Sequence, residues 1–180
     1  QSEVRVVFLD RSPSFSRLLK KASLAGAFFV STIWLGGAHA LCPAPASLPA
    51  AQVERVVDGD TLRLTDGRSV RMIGLNTPET GKKGQSAEPF AEAAKRRLQA
   101  LVDESGGQVR LRIGEQAADR YGRTLANVYG RDGANLEAQM LAEGLGYLVA
   151  IDPNIELVSC QQSAERTARQ AGLGLWRNDP

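Results

Sequence analysis

From Val53 onward, apolar residues fall on alternate positions in short runs that are broken by turn-forming residues. Val53 and Val57 flank Arg55, Leu62 and Leu64 follow, and Val70, Met72 and Gly74 form a third run, with Asp66-Gly67 as a hairpin turn between the second and third. A period of two commits a segment to a strand with one buried face, so this part of the chain folds as consecutive antiparallel strands. Two further β-rich runs are read at Val109 to Ile113 and Leu125 to Tyr129.

Helical spacing appears in three other places: Phe90, Ala94, Leu98 and Leu101; Leu136, Met140, Leu141 and Leu145; and a face made by Leu157, Cys160, Ala164 and Ala168. Gly144 and Gly172 suit the ends of the last two helices. The expected order is three strands, a helix, two strands and two helices. A five-stranded β-barrel of the oligonucleotide-binding type with three packed helices, an α+β domain, accommodates that order.

The first forty residues have a different character. Arg17, Lys20 and Lys21 precede an apolar run from Ala22 to Gly37, followed by Ala38-His39-Ala40. This is the pattern of a cleaved secretory signal peptide over residues 1–40, with an uncleaved anchor as the competing reading. Export to the periplasm or the medium is therefore expected, with membrane contact only in transit. Leu41 before Cys42 argues against lipid attachment at that cysteine. Pro43, Pro45 and Pro49 predict an extended linker over 41–52, leaving 53–180 as the folded domain.

Loss of the leader would remove five Lys and Arg and two Asp and Glu from the chain's 22 and 20, leaving 17 basic and 18 acidic residues. Bulk charge then recruits no polyanion, and nucleic-acid binding has to come from a local cluster of arginines. The single histidine, His39, leaves with the leader, which excludes histidine acid/base catalysis and His-ligated zinc in the remainder. Two cysteines, Cys42 and Cys160, remain; export favours a disulfide between them, while Cys160 also fits as a small apolar residue on its helix face.

Four stretches carry chemistry: Asp58-Gly59-Asp60-Thr61, Arg71, Asn76-Thr77-Pro78-Glu79 and Asp119-Arg120-Tyr121-Gly122-Arg123. Each has a plain structural reading, as a turn, a solvated strand arginine, a helix start or a charged loop. Together they offer hard oxygen donors for a cation such as Ca²⁺, cationic forks for phosphate oxygens and a carboxylate to orient water.

In this combination and order the chain resembles the thermonuclease (staphylococcal nuclease) family, over residues 53 to 176. The resemblance implies a calcium-dependent nuclease acting on DNA or RNA to leave 3′-phosphates. Arg71 and Arg123 would clamp the phosphate and Glu79 would orient or deprotonate water. Asp60 and Asn76 would offer side-chain oxygens, and Thr77 its carbonyl, to the metal. Arg120 and Tyr121 would bind a terminal phosphate, and Asp58 would lie near the metal. A monomer with no stable protein partner is expected.

Two positions depart from the family pattern. Asn76 stands where better-known members have aspartate, which predicts weaker calcium binding and tolerance of Mn²⁺. Val149 and Ile151, just before Pro153-Asn154, stand where the family's nucleotide pocket offers tyrosines, with Tyr147 nearby. The alternative is a non-catalytic module that binds nucleic acid or protein on the same fold.

Overall fold

The computed structural model describes residues 41–81 and 84–177. The signal-peptide reading of residues 1–40 lies outside the described residues. Among the described residues, no helix is long and apolar enough to cross a membrane.

Five strands close into a barrel in the order β1 (Ala50–Asp58), β2 (Thr61–Leu64), β3 (Ser69–Met72), β6 (Thr124–Tyr129) and β5 (Gln108–Ala118). Neighbours pair antiparallel except β3 and β6, which run parallel because α1 (Ala91–Glu104) and β5 intervene between them. Leu62, Leu64, Val70, Met72, Val109, Leu111, Ala126 and Val128 are the alternating residues that point inward, and all are buried. Asp66-Gly67 makes the expected hairpin turn: Gly67 adopts φ 92, and Asp66 accepts the Arg68 N–H at 2.9 Å.

The helices follow the apolar spacings. Ala94, Leu98 and Leu101 bury one face of α1, and Leu136, Met140 and Leu141 bury that of α2 (Leu136–Ala142). Ala164 and Ala168 bury that of α3 (Val158–Gln170). Asn135 caps α2 by accepting the Ala138 N–H at 2.8 Å. Gly144 follows at φ 71, which ends the helix before Leu145. A short 3-10 helix, Gly174–Trp176, closes the domain.

The barrel has the five strands and the domain the three α-helices expected; the structure adds a small second sheet and shortens the linker. Besides the barrel, Leu75–Asn76 (β4) pairs with Tyr147–Leu148 (β7) in a two-stranded sheet, and Gly74, expected at the end of the third strand, lies in the turn before β4. Elements of two residues carry no periodicity, so the spacing of apolar residues could not show them. The linker read at 41–52 stops short of Ala50: Ala50 to Gln52 begin β1 and pair with Gln108 to Arg110. Cys42 is buried and disulfide-bonded to Cys160 on α3, with Cα atoms 5.6 Å apart, so the proline-rich segment is tied to the domain at both ends.

Candidate active site

The first component comes from the turn joining β1 to β2. A Cβ added to Gly59 would stand 2.7 Å from Ala94 on α1 and 2.8 Å from the Thr77 side chain, so glycine lets this turn press against both. Asp60 is thereby buried. Its Oδ2 accepts the Thr77 N–H at 2.9 Å, and its Oδ1 accepts the Thr61 hydroxyl at 3.0 Å. Burial pushes its pKa up to about 6; Arg71 and the Thr77 N–H oppose that shift, and the neighbouring Asp58 adds to it.

Arg71 is the hub. It lies on β3, opposite Thr61 of β2 and beside Leu125 of β6. Its Nη2 stands 3.2 Å from Asp60 Oδ2 and donates to Asn76 Oδ1 at 3.0 Å. Its Nη1 donates to the carbonyls of Leu75 and Met72 at 2.6 and 3.1 Å. An arginine that alternates outward on a strand is thus half-buried and anchored, rather than solvated.

Arg123 ends the loop after β5. Asp119 Oδ1 accepts the backbone N–H groups of Tyr121 and Arg123, each at 2.9 Å, and its Oδ2 accepts Arg123 Nε at 2.7 Å. Partial burial acts to raise the Asp119 pKa, but the hydrogen bonds from Arg123 and Tyr121 outweigh it and hold the carboxyl below its ordinary value. Within the same loop Arg120 Nη2 donates to the Tyr121 hydroxyl at 2.6 Å, and the guanidinium carbons of Arg120 and Arg123 lie 4.8 and 5.6 Å from the Tyr121 ring centre. Two cations therefore hold one exposed aromatic ring in place.

Arg71, Arg120, Tyr121 and Arg123 line a single cavity of about 520 Å³, whose wall also includes Gly74, Val149, Ile151 and Asn154. The wall is aliphatic where the family pattern has tyrosines. Tyr147 is not part of it; its ring packs edge-on against Trp176, 5.3 Å between centres. Asp60, Asn76 and Thr77 join this group through Arg71 and through the Asp60 to Thr77 hydrogen bond.

Glu79 is the exception. It lines a separate hollow with Thr80, Gly81, Gln85, Ser86 and Glu88. Its backbone is drawn there by Glu88, whose Oε2 accepts the Glu79 N–H at 2.9 Å and whose N–H donates to the Glu79 carbonyl at 3.1 Å. The three residues read as catalytic are therefore divided: two arginines share a cavity and the carboxylate does not. The carboxylate partners of the two arginines are Asp60 and Asp119, not Glu79.

Gln161 on α3 and the Gln116–Asn154 clamp escaped sequence reasoning. Gln161 Nε2 donates to the Ile73 carbonyl at 3.0 Å, fixing the turn between β3 and β4 that spaces Arg71 from Asn76. A glutamine four residues after Leu157, on the apolar face of α3, was the available signal. Gln116 N–H donates to Asn154 Oδ1 and Asn154 Nδ2 to the Gln116 carbonyl, both at 3.0 Å, which joins the end of β5 to the loop holding the aliphatic wall. No pattern in the sequence marks that pair.

Among the described residues no three His, Cys, Asp or Glu side chains gather as a metal cluster. The oxygen donors near Asp60 are nevertheless of the kind a hard divalent cation takes: a buried carboxylate, the Asn76 amide oxygen, the Thr77 carbonyl and the adjacent Asp58. A buried carboxylate pushed further up by a second one is a place where added positive charge would be favourable.

A family model described as "Staphylococcal nuclease homologue" matches residues 69–178. The chain is 35% identical over 135 residues to the Thermonuclease of Staphylococcus hyicus, covering 71% of this chain and 75% of that protein. It is 33% identical over 127 residues to the Thermonuclease of Staphylococcus intermedius, covering 69% and 74%. It is 34% identical over 128 residues to the SPbeta prophage-derived endonuclease YokF of Bacillus subtilis (strain 168), covering 69% of this chain but only 43% of that protein.

Proposed function

Because the chain belongs to the staphylococcal nuclease family, we propose that it is a nuclease, a calcium-dependent one that hydrolyses phosphodiester bonds of DNA or RNA and leaves 3′-phosphates. The observation that carries the proposal is the convergence of Arg71, Arg120 and Arg123 on one cavity beside the buried Asp60. Arginines held by hydrogen-bonded anchors can bind non-bridging oxygens as negative charge builds on them.

The residues divide the work as follows. Asp119 fixes the Arg123 fork, and the Leu75 and Met72 carbonyls fix that of Arg71, so both guanidiniums are oriented before substrate arrives. Asp60, Asn76 and the Thr77 carbonyl would hold Ca²⁺, with Mn²⁺ as the tolerated substitute; the metal's chemistry there is to offset negative charge on the phosphate. Glu79 takes the water's proton as the water oxygen bonds to phosphorus. The bond from phosphorus to the 5′-oxygen breaks, and solvent protonates that oxygen. Glu79 holds this role by the family resemblance and not by its place in the cavity. Export to the periplasm or medium is part of the proposal, supported by the leader-like residues 1–40 and the Cys42–Cys160 disulfide.

A second reading is a binding module that does not cut, favoured by the uncharged Asn76 and by Glu79 lying outside the cavity. Incubating the protein with single-stranded DNA, with Ca²⁺ or with EDTA, separates the two. Metal-dependent cutting that is lost in Glu79→Gln and Arg123→Ala supports the nuclease; binding without cutting supports the module.

A further inference from the structure

The outer face of the barrel beside the site carries a second set of arginines that the proposed chemistry does not use. On β2, Thr61 lies between Asp58 of β1 and Arg71 of β3, and the next outward residue, Arg63, lies between Arg55 of β1 and Ser69 of β3. The inward residues between them, Leu62 and Val56, are buried, so Arg55 and Arg63 share the outer face with Arg71. Cross-strand partners stand about 5 Å apart at Cβ, and like charges placed so are destabilising. Among the described residues neither arginine has a carboxylate within salt-bridge distance, although Glu54 is adjacent in sequence, whereas Arg68 at the hairpin is paired with Asp66 at 2.8 Å. Arg63 spends one side-chain N–H on the Gly67 carbonyl at 2.7 Å, and Arg55 is exposed with its guanidinium donors free of described partners.

We propose, on the premise that the chain cuts nucleic acid, that Arg55 and Arg63 form a phosphate-tracking rung that extends the substrate path up the outer wall of β1 and β2. The rung lies two residues along β2 from the one that holds Arg71, or about 7 Å, close to two steps of about 3.4 Å along a stacked strand. Neighbouring phosphates of a strand held at Arg71 therefore come within reach of the pair. Charge complementarity selects a polyanion, and continuity with the Arg71 rung selects the same strand that enters the site. The pair supplies affinity for length and salt sensitivity, and it takes no part in bond breaking.

The test compares the whole chain with Arg55→Ala/Arg63→Ala and with Arg55→Lys/Arg63→Lys, on a long single-stranded DNA and on a dinucleotide whose single phosphodiester sits at Arg71 and leaves no neighbouring phosphate for the pair. The expected result is a KM for the long strand raised about two- to tenfold in the alanine variant, with kcat unchanged and the dinucleotide cut as before. The slope of log affinity against log salt, from anisotropy of a labelled oligonucleotide in EDTA, becomes shallower by about 1.4, or 0.7 per lost phosphate contact. The lysine variant retains most of the long-strand affinity. Equal KM and equal salt slope overturn the proposal, as does loss of activity on both substrates. If no form of the protein cuts either substrate, the nuclease premise fails, and the anisotropy arm still decides the rung: weaker, less salt-sensitive binding supports it and unchanged binding ends it. Anionic phospholipid vesicles provide the last arm. Binding to them that depends on the pair, with DNA binding unaltered, would assign this face to a membrane surface and overturn the nucleic-acid path.

Discussion

Arg71 Nη2 lies 3.2 Å from Asp60 Oδ2, and Asp60 has no other side-chain cation among the described residues. The carboxylate is buried, so its charge is tolerated through this guanidinium, the N–H of Thr77 and the hydroxyl of Thr61, of which only the guanidinium carries a counter-charge. Arg71→Met should therefore destabilise the fold by about 2–4 kcal/mol, because it leaves the carboxylate buried without a counter-charge. Arg71→Met/Asp60→Asn should be more stable than the single Arg71 variant. Urea denaturation of the four proteins in a double-mutant cycle measures the coupling, and a cycle that closes to zero would remove the pair from the account. Both single variants should lose at least about a hundredfold in kcat on single-stranded DNA.

Asn76 shares the same guanidinium nitrogen, so replacing it by aspartate changes two interactions together. A carboxylate there adds charge to the donor set and gives Arg71 a second ion-pair partner. Calcium affinity should rise about tenfold in Asn76→Asp, since affinity follows the charge count of the ligands. Isothermal titration gives the value directly. An unchanged affinity would take Asn76 out of the ligand set.

The barrel was legible because its residues obey one rule each: Leu62, Leu64, Val70 and Met72 alternate and are buried, and Asp66-Gly67 turns the chain. The small sheet of β4 and β7 was not, because Leu75–Asn76 and Tyr147–Leu148 are too short to show a period. The cavity's arginines were legible as types at given spacings, but their anchors were not. Nothing in the sequence says that Arg71 would spend donors on the carbonyls of Met72 and Leu75, or that Glu88 would turn the Glu79 backbone toward another hollow. Those outcomes depend on backbone groups, which every sequence carries alike.

Glu137 lies at the start of α2, fully buried, where its oxygens accept the Val128 N–H at 2.8 Å and Asn135 Nδ2 at 2.6 Å. Burial pushes its pKa up to about 8 from 4.5, against those hydrogen bonds. A carboxyl with a raised folded pKa binds a proton in the folded state that the unfolded chain has released. Its contribution to stability is complete below about pH 4.5 and is lost as pH rises through about 8. Unfolding free energy should therefore fall between pH 5.5 and 8, by on the order of a few kcal/mol from this group. Glu137→Gln should flatten that dependence while lowering stability at pH 5, because its amide would direct an N–H at one of two existing donors. Urea titrations of both proteins at several pH values provide the check, and equal slopes would refute the assignment.

Gly74 places the last constraint on the site, because it forms the turn between Arg71 on β3 and Asn76 on β4. Its φ is +86, and a Cβ there would stand 2.1 Å from Gln161 Oε1, the side chain whose Nε2 holds the Ile73 carbonyl. Alanine thus meets both a left-handed backbone and a filled space. Gly74→Ala should destabilise by about 2–4 kcal/mol and force Gln161 off the Ile73 carbonyl. The turn then relaxes, and Arg71 loses its fixed relation to Asn76, so kcat should fall by more than the change in folded fraction explains. Trimming the obstructing side chain in Gly74→Ala/Gln161→Ala should recover part of the packing loss but not the backbone strain, leaving a variant less stable than wild type and less disturbed than the sum of the two single changes. Thermal melts together with kcat for the three variants separate the two causes. Wild-type stability in Gly74→Ala would mean that the turn is not locked and that Gln161 does not set the spacing of the site.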